Sequence, residues 1–288
     1  MKALVTIPNY YKPTLHAPDG RPHGSVQIDP TPRIAALTAC LQGLSHLMAT
    51  RACVLDHASR LARRVDSTES IQLDVIICTT GDNHLLGQLL PENRIGSHHA
   101  TQAEPPFLGY ECHAVLRDHL GAYDFYCYLE DDLILSDPWF FRKLSWFNRV
   151  FGDSYVLQPN RYEAGVHPHV DKIYVDGDLP AHCTNFGTDR MPSPLLIAEV
   201  MGRPISFCTG TNPHSGCFFL NGNQMAHWTR QPSFLNRSAS FIGALESAAT
   251  LGLMNTLTVY KPSLVNADFL EIQHYGTAYL SMVLKDPS

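Results

Sequence analysis

The sequence predicts an α/β fold: a largely parallel sheet flanked by helices, followed by a more irregular second half. Three observations predict it. Strand-like runs alternate with stretches of helical spacing through the first half. The runs are apolar almost throughout, as in a sheet covered on both faces. Each one ends in polar, turn-forming residues.

Ala3–Ile7 reads as a first strand ended by Pro8-Asn9, and a loop rich in Pro, Gly and His follows to about Pro32. From Arg33 to Leu55 the apolar residues recur at helical spacing. Leu73–Cys78 is a β-branched strand closed by Thr79-Thr80-Gly81-Asp82, and Gly109–Leu120 is a second helix. Tyr123–Leu129 is an aromatic-rich strand that runs straight into Glu130-Asp131-Asp132. Beyond it, Pro138–Phe151 reads as a helix, and Tyr155–Gln158 as a strand leading into Pro159-Asn160-Arg161-Tyr162-Glu163. From there to about Arg203 the chain is irregular, and a long loop in a compact domain usually has a function. The texture changes near residue 150 without a linker, so 1–150 and 151–288 read as two halves of one domain. Open α/β sheets bind ligands beyond the carboxyl ends of their strands. Three segments fall there: Pro8–Tyr11, Thr79–His84 and Glu130–Asp132.

With 288 residues, 44% of them apolar, the chain can bury a substantial core. A net charge of -6 provides no basic field for nucleic acid, so any anionic ligand must be held locally. The apolar start is too short for a signal peptide, and no apolar run reaches the roughly 18 residues of a membrane span. The expectation is a cytoplasmic protein, soluble or peripheral at the inner face of the membrane. Eight cysteines stand singly with no CxxC pair, as reduced, mostly buried thiols would.

Three carboxylates at the end of a buried strand concentrate negative charge that needs an opposing charge. Mg²⁺ or Mn²⁺ supplies it well, since these ions favour oxygen ligands and bridge carboxylates to phosphates. The plainer alternative is a helix cap, but Ser136 and Asp137 before Pro138 are better placed for that. His98-His99 and His167-Pro168-His169 lack a His-Glu-x-x-His frame and read as loop histidines.

At this point the chain resembles the GT-A type glycosyltransferases, bacterial members distantly similar to exostosin-type and family-two enzymes. YLEDDLIL looks like their Asp-x-Asp element, with Asp132 in its most constant metal-binding place. Arg117 resembles the arginine of their Arg-Asn-x-Gly segment. His214-Ser215-Gly216-Cys217 resembles the acceptor-side glycine loop that packs under the donor sugar. Glu246 resembles the acidic position at a helix start near the acceptor, and His274 the late histidine that completes the metal shell. Two departures stand out: the triplet is Glu-Asp-Asp, and Glu246 is followed by Ser247 where inverting relatives often carry Glu-Asp.

The resemblance implies a Rossmann-like GT-A fold and transfer of a sugar from a nucleotide donor, a UDP-sugar for preference, to a saccharide or other hydroxyl acceptor. Asp132 and His274 would hold Mn²⁺ or Mg²⁺, with Glu130 and Asp131 beside them. Pro8, Tyr10, Tyr11, Asp82, Arg117 and Gly216 would line the donor. Glu246 would be the catalytic base. Two rival readings are a nucleotidyltransferase on a related fold and a non-catalytic carbohydrate- or calcium-binding module. The first usually has a Gly-rich basic loop after its first strand, where this chain has Pro8-Asn9-Tyr10-Tyr11-Lys12. The second would not explain a late histidine paired with a strand-end acid.

Overall fold

A computed structural model describes residues 1–14, 24–48, 53–65, 71–179, 193–210 and 212–284. Its strands and α-helices are, in chain order, β1 (Lys2–Asn9), α1 (Thr31–Leu47), β2 (Cys53–Asp56), β3 (Leu61–Arg64), β4 (Gln72–Thr80), β5 (Ser97–Thr101), α2 (Leu108–Asp118) and β6 (Phe125–Leu129). Then come β7 (Leu133–Ile134), α3 (Phe140–Phe151), β8 (Tyr155–Leu157), β9 (Asn160–Ala164), β10 (Lys172–Tyr174), β11 (Leu196–Val200) and β12 (Arg203–Cys208). The chain closes with β13 (Cys217–Asn221), α4 (Gly222–Thr229), α5 (Ala244–Met254), β14 (Thr258–Pro262) and β15 (Glu271–His274).

The central sheet runs in the order β13-β6-β1-β4-β5. β1, β4, β5 and β6 are parallel, and β13 closes the edge antiparallel to β6. The side chains of β1 alternate between the faces, as a strand's geometry requires. Ala3, Val5 and Ile7 join Leu37, Cys40 and Leu41 of α1 and Phe140, Leu144 and Phe147 of α3. Leu4 instead meets Cys112 and Leu116 of α2, Met225 and Trp228 of α4, and Leu253 of α5. Both faces are therefore covered, which is why the strands read as continuous apolar runs. The fold is mixed α/β with a largely parallel sheet flanked by helices.

Two smaller sheets, β10-β9-β15-β7 and β11-β12-β14-β8, build the second half. Their residues do not form a separate core: Leu270 and Ile272 pack in the same cluster as Ala3 and Leu37.

Several expected elements shift. The first helix ends at Leu47, not Leu55, and Cys53–Asp56 pairs with Leu61–Arg64 as a hairpin. Helical spacing alone cannot separate the two, and the turn is set by Asp56, whose Oδ1 accepts the Ala58 and Ser59 N–H groups. His98 and His99 lie in β5 rather than in a loop. Cys40, Cys78, Cys112, Cys127 and Cys217 are buried free thiols. Cys183 and residues 180–192 of the long irregular stretch lie outside the described residues. Among the described residues no helix is long and apolar enough to cross a membrane.

Candidate active site

The carboxyl end of β6 delivers Glu130, Asp131 and Asp132 to the edge of the central sheet, and the neighbouring elements answer with cations. Asp131 is buried and receives the Nδ2 of Asn9, at the end of β1, at 2.6 Å. The Asn9 Oδ1 accepts the Leu85 N–H at 3.0 Å, so one amide ties the ends of β1, β4 and β6 together. The guanidinium of Arg33, in the first turn of α1, forks across the other two: Nη2 pairs with Asp131 Oδ1 and Nη1 lies 3.0 Å from Asp132 Oδ2.

His274 arrives from the far end of the chain through strand pairing. β15 runs antiparallel to β7, opposing His274 to Leu133, and the Tyr275 N–H donates to the Asp132 carbonyl at 2.8 Å. The ring then lies with Nε2 3.8 Å from Asp132 Oδ2. Its Nδ1 is 2.8 Å from Oε1 of Glu163, a fully buried carboxylate on β9, the strand on the other side of β15. A carboxylate acceptor at Nδ1 fixes the ring so that Nε2 faces Asp132.

Arg161, also on β9, sits 3.8 Å from Glu130. It is held from behind by Asp176 at 2.8 Å, and Asp176 also accepts from Lys261 Nζ at 3.1 Å. Gly216 passes directly beneath Glu130, accepting the Glu130 N–H at 3.0 Å. Its φ is +65°, and a Cβ there would come within 2.5 Å of the Glu130 carboxylate. The glycine is required both by its backbone conformation and by this contact. Glu246 stands half-buried in the first turn of α5 and adds its charge to the field at Glu130.

Crowding of acids in a buried place shifts their proton affinity in opposite directions. Burial, with Asp132 and Glu246 nearby, pushes the Glu130 carboxyl up to about 8 despite Arg161. Burial likewise raises Asp131, with Arg33 opposing. For Asp132 the same burial is outweighed by Arg33 and His274, and its carboxyl stays below the usual range. Burial holds His214, behind the glycine loop, down to about 3 and therefore neutral.

The fold thus brings together Glu130, Asp131, Asp132, Gly216, Glu246 and His274. Pro8 is buried in β1, and Tyr10 is half-buried at its end, packed against the core cluster on the α2 face and less enclosed than its neighbour. The Tyr11 ring belongs to the core and its hydroxyl donates to the Gln27 carbonyl at 2.6 Å. Asp82 is exposed in the turn after β4. Arg117 departs from expectation. It ends α2, which leads into the opposite, amino-terminal end of β6, and its guanidinium pairs with Asp118 at 2.8 Å. The basic groups at the acids are instead Arg33 and Arg161. Arg33 is the lone Asp, Glu, Lys or Arg of its helix, a signal present in the sequence; Glu163 and Asp176 offer none.

The residues present fit a divalent cation. Among the described residues Asp132 Oδ1 is buried with no hydrogen-bond partner, and His274 presents an imidazole nitrogen backed by a carboxylate. Among the described residues no three His, Cys, Asp or Glu side chains form a ligand set for a metal by themselves, so a cation would complete its shell with phosphate and water oxygens.

No family model matches the chain, and no curated protein matches it. Among solved structures it is similar to S. aureus TarS 1-349 in complex with UDP-GlcNAc, at 9% identity and a TM-score of 0.42, covering 96% of this chain and 59% of that one. It is also similar to CMP:2-keto-3-deoxy-manno-octonic acid synthetase complexed with CTP, at 14% identity and a TM-score of 0.38, covering 91% and 90%. Likenesses this loose assign neither family nor chemistry, and the chain spans 59% of the length of the TarS fragment. The functional reading rests on the geometry.

Proposed function

We propose that this chain is a GT-A type glycosyltransferase that moves a sugar from a nucleotide donor, a UDP-sugar for preference, to a hydroxyl acceptor. The observation that carries it is the pairing, at the carboxyl end of a parallel sheet, of Asp132 with a His274 whose other nitrogen faces a buried glutamate. An acid and a carboxylate-backed imidazole so paired can share one divalent cation and leave its other positions to phosphate and water oxygens.

Mn²⁺ or Mg²⁺ held by Asp132 and His274 would offset the charge that builds on the departing diphosphate. Arg161, fixed by Asp176, aims a permanent positive charge at the same edge, and its buried position keeps that charge strong. Gly216 leaves room for the Glu130 carboxyl, which carries a proton at neutral pH. Glu246, across from it, is the acid best placed to take the proton of the acceptor hydroxyl. Tyr10 and Asp82, at the ends of β1 and β4, are where a base and ribose would lie.

The test is nucleotide release from a panel of sugar nucleotides with Mn²⁺. Sugar-dependent release of UDP, lost in Asp132→Ala and in chelator, is the expected result. Full activity in both would sink the cation's role, and release of pyrophosphate from a nucleoside triphosphate would identify a nucleotidyltransferase instead.

A further inference from the structure

Asp132 Oδ2 faces two groups at once, Arg33 Nη1 at 3.0 Å and His274 Nε2 at 3.8 Å. Arg33 reaches it from α1: among the described residues its Nε is buried with no hydrogen-bond partner, and Gly24 lies against its stem. A guanidinium with five donors that leaves one buried and unused is held by charge more than by fit. The carboxylates it bridges are the ones a divalent cation needs. Both cations cannot neutralise the same oxygen at close range without repelling each other.

We infer that Arg33 is an internal counter-ion of Asp131 and Asp132 which a divalent cation must displace from Asp132 in order to bind there. The inference rests on the proposed cation site. It assigns Arg33 a positioning role: its single charge offsets one of the two carboxylate charges when no metal is bound, and sets how weakly the metal binds alone.

Titration of free Mn²⁺ by its electron paramagnetic resonance signal, on protein without nucleotide, tests this directly. Arg33→Gln is expected to bind Mn²⁺ about tenfold or more tightly than wild type, because no resident cation has to be expelled. Arg33→Lys keeps a charge but loses the two-pronged grip, and should tighten binding less. Unchanged or weaker Mn²⁺ binding in Arg33→Gln overturns the inference while leaving the cation site standing. If wild type and both variants bind no Mn²⁺, the cation site itself falls and the inference with it. Thermal melting checks that the variants fold. Should Arg33→Gln fail to fold, Arg33→Lys decides, and affinity equal to or below wild type overturns the inference.

Discussion

Glu163 never touches the acids it serves. It accepts from His274 Nδ1 at 2.8 Å and also from the Leu280 N–H at 2.7 Å, which fixes the carboxylate before the imidazole meets it. Glu163→Gln should therefore weaken Mn²⁺ binding about 10- to 100-fold, as loss of such a backing partner commonly does. The measurement is metal titration, with melting temperature as the check on folding. At Gly216 the expected change is in stability: an alanine there meets both a positive φ and the Glu130 carboxylate, and should cost about 1–3 kcal/mol in chemical denaturation. Glu130 leaves a pH signature. Its carboxyl is raised from 4.5 to about 8, so the folded state binds the extra proton between those values. The stability this contributes is present below pH 4.5 and lost as pH rises toward 8. Melting temperature of the metal-free protein should fall across that window, and Glu130→Gln should flatten the fall.

The strand ends are where elements meet the chemistry. β9 contributes Arg161 to one side of the site and Glu163 to the other, two residues apart and hence on the same face of the strand. Asp176 anchors that strand's arginine. Its side chain is 3% exposed and lies between Arg161 and Lys261, which together hold its carboxyl down against burial. Asp176→Asn strands two buried cations and should destabilise the fold by about 3–5 kcal/mol, read by urea denaturation. The ends of β1, β4 and β6 are legible in the sequence because each apolar run stops at residues with hydrogen-bonding side chains: Pro8-Asn9, Thr79-Thr80 and Glu130-Asp131-Asp132. The role of Arg117 was misread for an equally local reason. A motif can be matched from order alone, but which end of the sheet it reaches depends on the direction of the helix that carries it.

The whole molecule closes through its last third. β13 seals the edge of the central sheet beside β6, and Phe218 and Phe219 fall on opposite faces, one in each core cluster. A fragment of residues 1–150 would expose that edge and lose part of the apolar cover on each face, α4 and α5 on one and Phe207, Tyr260, Leu270 and Ile272 on the other. It should fail to give a cooperative melt by circular dichroism, whereas two independently folding halves would each melt on their own.

Taken alone, the sequence determined the alternation of helix and covered strand, the order of the elements, and the three strand ends that carry polar residues. Those features are written in local periodicity and turn chemistry, which act over a few residues. Only the tertiary structure decided how the acids are neutralised. Arg33 meets Asp132 across 99 positions by the packing of α1 on the sheet, and Glu163 meets His274 across 111 by the pairing of β9 with β15. It also decided that Gly216 lies beneath Glu130, because the pairing of β13 with β6 carries the glycine loop there. Charges buried at one edge of a sheet must find counter-charges wherever the chain returns, and nothing local records the place of return.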